Sequence, residues 1–174
     1  MKTHICQICG DAYIGEERPS DCPFCGAPGN FIKLGEESNP IVNQEFSIQG
    51  KSEERLMETY ELEVRASAIY TCMAGKTKDH TINKMYKRLS KIELEHAKIV
   101  TKLLKMPAPE VKPEICSDED VKNFKKTVEL ENHAVSLYHQ FAKESEEQQL
   151  KILFTALAQA EEGHIELMNN LTKK

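Results

Sequence analysis

From residue 52 to the end of the chain, apolar side chains recur every three or four positions, the period of a helix that turns one face inward. Ile82, Met85, Leu89, Ile92, Ile99 and Leu103 make one such stripe. Leu150, Leu153, Leu157, Ala160, Leu167 and Leu171 make another. Glycine is scarce in this stretch and proline is absent before Pro107, so breaks are few. Four helices are predicted, at 52–75, 80–105, 118–144 and 146–172. Gly75 and the polar run 76–79 end the first, and a proline-rich connection from Met106 to Pro113 follows the second. Ser117-Asp118-Glu119-Asp120 reads as a capping box for the third helix, and Ser145 as an N-cap for the fourth. The fold class expected is mainly α, a four-helix bundle.

The first 35 residues follow a different rule. Cys6-x-x-Cys9-Gly10 and Cys22-Pro23-x-Cys25-Gly26 lie 12 residues apart, with Gly15, Pro19, Ser20 and Asp21 as turn formers between them. A glycine after each pair can take positive φ and lets the loop curl two sulfurs toward one point. Four such sulfurs suit a tetrahedral zinc or a single iron. A segment this short buries too little to fold by itself, so a metal would supply much of its stability. The chain thus divides into a cysteine module at 1–35, a polar connector at 36–50 and a helical domain at 51–174.

Composition narrows the function. The net charge of −5 arises from mixed Glu and Lys, so no basic face recommends a nucleic acid. No apolar run has membrane-spanning length, which excludes a membrane partner in this reading. Met1 to Cys6 contains nothing resembling a signal peptide, so a cytoplasmic location is expected. Six cysteines then point to metal or thiols rather than a disulfide framework. Cys72 and Cys116 read as ordinary buried or half-buried thiols, and His4, His80, His133 and His139 as surface residues.

The helical stretch carries an internal repeat. Glu93-x-x-His96 and Glu161-x-x-His164 are each preceded, 30 residues upstream, by another glutamate, Glu63 and Glu131. Tyr70 and Tyr138 follow those two glutamates by seven residues, so the whole constellation recurs at an offset of 68. Each glutamate lies 15 residues from its hairpin turn, about 22 Å along the helix, which sets Glu63 opposite Glu93 and Glu131 opposite Glu161. The histidines project from the same faces. Four carboxylates and two imidazoles at one level of a bundle are a donor set for two metal ions. Glu61 and Glu129 repeat at the same offset but fall off the shared face.

At these residues the chain resembles the rubrerythrins, members of the ferritin-like di-iron superfamily. A rubredoxin-like cysteine module placed N-terminally resembles the reverse type. The resemblance implies that Glu93 and Glu161 bridge two irons. Glu63, Glu131, His96 and His164 would be terminal ligands, with Tyr70 and Tyr138 supporting them. It also implies one iron held by Cys6, Cys9, Cys22 and Cys25. Many members carry an extra glutamate three residues after the third-helix ligand, where this chain has Ala134. That departure puts the family's ligand exchange in doubt here.

By resemblance, the expected function is a peroxidase that reduces hydrogen peroxide to water. Electrons would come from an NAD(P)H-dependent rubredoxin reductase or similar donor through the cysteine-bound iron. The alternative is a ferroxidase or iron-handling protein with a structural zinc knuckle. A homodimer or higher homo-oligomer is expected, with the shortest path between the two metal sites running between chains.

Overall fold

The computed structural model describes residues 1–172, Thr172 by its backbone alone. A three-stranded antiparallel sheet opens the chain, with β1 (Lys2–Cys6) between β2 (Ala12–Gly15) and β3 (Ile32–Leu34). Four long helices follow: α1 (Lys51–Lys76), α2 (His80–Leu104), α3 (Asp120–Glu144) and α4 (Gln148–Thr172). They form a ferritin-like bundle in which α1 pairs with α2 and α3 with α4. No described helix is long and apolar enough to cross a membrane.

Helix ends depart from the sequence reading in instructive ways. Asp79 caps α2 as expected of a short acidic side chain, its Oδ1 accepting from the amides of Thr81 and Ile82. At α3 the expected capping box does not form, and Glu119 occupies the cap without a side-chain bond. Asn123 organises this end instead. Its amide oxygen accepts from Ser117 N–H at 3.1 Å, and its amide nitrogen donates to Ser117 C=O at 3.0 Å. Ser145 belongs to the end of α3 rather than the start of α4, its hydroxyl donating to Phe141 C=O at 2.7 Å. On α4, Leu167 is exposed and Met168 buried, so the inward stripe shifts by one residue there.

The crossover between α2 and α3 is tied along α1. Arg65 bonds Glu114, Lys76 bonds Asp118, and Thr77 donates to Asp120. Cys72 and Cys116, read from sequence as separate thiols, form a disulfide between α1 and this crossover. Spacing could not pair them, because 43 intervening residues must first be threaded through a helical hairpin and a proline-rich strap.

The connector is ordered rather than slack. Gln7 holds it at two points: its side-chain oxygen accepts from Asn39 N–H, and its carbonyl accepts from Ile41 N–H. Ile41 is buried in a cluster that joins the module to the bundle, with Ile8, Ile32, Leu56, Ile99 and Val100. His4, expected at the surface, lies buried on β1 near Tyr13. A central strand in a small module leaves its inward side chain nowhere else to go.

Candidate metal centres

In the module, two like loops present the sulfurs. Gly10 and Gly26 have φ of +82° and +72°, and their amides bond back to Cys6 C=O and Cys22 C=O, each at 3.0 Å. The turn so formed points both cysteines of a pair inward. Cys6 Sγ lies 3.7 Å from Cys25 Sγ, and Cys9 Sγ 3.7 Å from Cys22 Sγ. All four are buried and lie within 4.8 Å of one another, a cage of the size four thiolates make around one metal ion.

In the bundle, the six residues of the 68-residue repeat converge. Glu63, Glu93, His96 and Glu161 bring one donor atom each within 4.8 Å, and so do Glu93, Glu131, Glu161 and His164. Glu93 and Glu161 belong to both groups. Each group draws on both hairpins, so neither hairpin holds a complete set.

The donor atoms fit a pair of metal ions. Both oxygens of Glu93, both of Glu161, and Nδ1 of His96 and His164 are buried without a hydrogen-bond partner. Carboxylate oxygens stand 2.7–3.5 Å from the two Nδ1 atoms, close enough for ion pairing. None of those contacts has hydrogen-bond geometry, so the atoms aim at common centres rather than at one another. Orphaned buried polar atoms are costly unless something satisfies them, and a cation does.

Neighbouring groups hold the donors in place. Tyr70 Oη on α1 donates to Glu131 Oε1 on α3 at 2.5 Å, and Tyr138 on α3 donates to Glu63 on α1. The two tyrosines thus cross-link the hairpins, each bonding the other half's carboxylate. Each phenol packs against an aromatic ring of its own hairpin: Tyr70 on Tyr86, Tyr138 on Phe154. Burial and the adjacent carboxylates push both phenols well above their ordinary pKa, so they remain donors.

Burial and the charges the donors exert on one another move them away from their ordinary values. Burial raises Glu63 to about 8, against the pull of His96. Burial also raises Glu131 well above the carboxylate range. For His96 and His164, burial acts downward but is outweighed by the surrounding carboxylates, and both rise well above 6.5. Glu161 is held low, because the two imidazoles overcome its burial. Glu63, Glu131, Glu161, His96 and His164 thus share a few protons in one buried cluster.

The cysteine module sits directly over this pocket, within the same chain. His96 Nε2 donates to Cys25 C=O at 2.7 Å, which leaves Nδ1 free to face the carboxylates. Lys102 Nζ donates to Cys9 C=O at 2.9 Å. Gly26 lies against the other half: a Cβ there would be 3.5 Å from Ala160 and 3.9 Å from His164 Nε2. The expectation of a path between chains is therefore corrected, since the cysteines and the carboxylates already meet through one chain. Sequence reasoning missed Cys25 C=O, because a backbone carbonyl leaves no mark in the sequence.

Of the remaining residues, Glu61, Glu129, His80, His133 and His139 are exposed, and Ala134 is buried. His139 pairs with Glu162 at 3.0 Å on the surface.

A family model described as Rubrerythrin matches residues 54–127. Over those residues the chain is similar to the rubrerythrins. The match covers α1, α2, the crossover and the start of α3, and so includes Glu63, Glu93 and His96. Among curated proteins, Reverse rubrerythrin-1 of Clostridium acetobutylicum is 27% identical over 113 residues, 60% of this chain and 62% of that protein. The match therefore spans less than two thirds of that relative's length. No solved structure matches. The N-terminal position of the four-cysteine cluster fits the reverse arrangement of the rubrerythrin modules.

Proposed function

We propose that the chain is a non-haem di-iron peroxidase of the cytoplasm, reducing hydrogen peroxide to water with electrons relayed through an iron held by Cys6, Cys9, Cys22 and Cys25. The observation that carries this reading is the pair of donor groups sharing Glu93 and Glu161, whose buried oxygens and imidazole nitrogens have no partner within the protein. Irons held by these residues would supply the two electrons that cleavage of a peroxide O–O bond needs. Glu93 and Glu161 are the bridging carboxylates in this reading, and Glu63, Glu131, His96 and His164 the terminal ligands. Tyr70 and Tyr138 orient the terminal carboxylates through their hydroxyls.

The contact from His96 Nε2 to Cys25 C=O supports a relay over iron storage. It gives the cysteine cluster a route of one hydrogen bond into the bundle pocket, for which an iron store has no use. An NAD(P)H-dependent rubredoxin reductase or similar carrier is the class of donor that fits a one-electron cysteine–iron centre.

Two variants test the reading. Glu93→Ala removes a donor common to both groups and should reduce bound iron in the bundle well below two per chain, with loss of peroxide turnover. Cys9→Ser should abolish the visible absorption of a ferric thiolate centre and slow reductase-linked turnover, while bundle iron stays in place. Two bundle irons retained in Glu93→Ala would refute the ligand assignment. Unchanged turnover in Cys9→Ser would make the module structural.

A further inference from the structure

A groove of about 300 Å³ opens between α1 and α3 and ends on Glu63 and Glu131. It reaches the pocket on a side that the cysteine module does not cover, since Cys25 and Gly26 sit over His96 and His164. Leu62, Ala66 and Leu130 line its walls. Ala66 lies on α1 between Glu63 and Tyr70, the two residues bonded across to α3, so the wall it forms lies between the two tyrosine bridges. A larger residue at Ala66 would fill the space that separates the solvent from the carboxylates.

The mouth has its own chemistry. Glu58 and Glu61 are exposed acids at its rim, and Arg65, the basic residue beside them, is paired with Glu114 of the crossover at 3.2 Å. His133 stands on the opposite rim. An entrance with two free carboxylates and its arginine engaged disfavours anions. Its volume is roughly ten times the ~30 Å³ share of one water in the liquid, so it accommodates a few small molecules.

We infer that this groove is the entry route for the oxidant, selecting small uncharged molecules, with Ala66 as the residue that sets the bore. The inference rests on the peroxidase reading for its substrate. The route itself is testable without turnover, because any small neutral ligand of ferrous iron must use it.

The probe is nitric oxide, mixed with the reduced, iron-loaded full chain and followed by visible absorption in a stopped-flow instrument. Ala66→Leu and, at a half-buried wall position, Leu62→Phe should each slow its association by roughly tenfold, the scale on which added methylenes discriminate in an apolar passage. Both variants should still load iron, since neither changes a donor. Leu130→Ala should do the reverse, raising the rate with cumene hydroperoxide relative to hydrogen peroxide by roughly tenfold. Wild-type association rates in the iron-loaded narrowing variants would overturn the route, and so would an unchanged ratio in Leu130→Ala. A wild-type protein that binds nitric oxide through the groove yet reduces no peroxide would remove the peroxidase reading and leave the route standing.

Discussion

Glu63 and His96 meet in a pocket where each keeps a proton that the unfolded chain would give up. Burial holds Glu63 near 8 rather than its ordinary 4.5, and the carboxylates around His96 hold it well above 6.5. Both shifts have the same sign for stability. Between the unfolded and folded pKa values the native state binds more protons, so stability falls as pH rises through that window. Glu161 shifts the other way, but its transition lies below its ordinary 4.5 and so outside the window. The metal-free protein should therefore melt at progressively lower temperature from about pH 4.5 to about pH 8. Metal ions displace the same protons, so the iron-loaded protein should show a flatter profile and iron affinity should rise with pH. Calorimetry on both forms checks this, and a flat metal-free profile would contradict it. The side chains involved were legible from one regularity, the 68-residue recurrence of glutamate, tyrosine and Glu-x-x-His. What supports them was less so. The tyrosine bonds cross between hairpins, and Cys25 acts through its backbone.

Helices α1 to α4 were predicted within about two residues at each end, because their apolar period is long and few breakers interrupt it. The connections were harder to read. A cap depends on which side chain closes first, and at α3 Asn123 reaches back to both polar groups of Ser117 where the Ser-x-x-Asp pattern predicted otherwise. The crossover carries an untested stabiliser, the Cys72–Cys116 disulfide, which closes a loop with a sequence separation of 44. Loop closure of that length restricts the unfolded chain by about 4 kcal/mol in the chain-entropy account. Cys116→Ser should accordingly lower the melting temperature of the oxidised protein by roughly 10 °C. Treatment with a dithiol reductant should bring the parent protein down to the same value. Identical melting of parent and variant before reduction would show that the bond contributes nothing.

At the scale of the molecule, the module and the bundle act as one body. Buried Ile8, Ile32 and Ile41 join Leu56, Ile99 and Val100 in a single apolar cluster, and two module carbonyls accept from His96 and Lys102. The seat was invisible in the sequence, because the cysteine spacing describes the module's interior and says nothing about its outer face. If electrons pass within one chain, then a mixture of Cys9→Ser and Glu93→Ala chains should recover no reductase-linked peroxidase activity beyond the sum of the parents. Recovery in a hybrid shown to form would mean that modules reach across to neighbouring bundles.

The shared ownership of the two donor groups also bears on ancestry. One hairpin supplies Glu63, Glu93 and His96 and takes Glu161 from the other, which supplies Glu131, Glu161 and His164 and takes Glu93 in return. Two copies of a single hairpin, turned about a twofold axis, would own the same donors. The chain thus has the form of a homodimer whose subunits have been joined end to end, with the crossover as the seam. A true homodimer must keep its halves identical, whereas a fused one can let them diverge. Here they differ where the module lands: His96 donates a hydrogen bond to a carbonyl, and His164 faces a glycine. Joining the two hairpins in one chain is what lets a pair of matched donor groups have a front and a back.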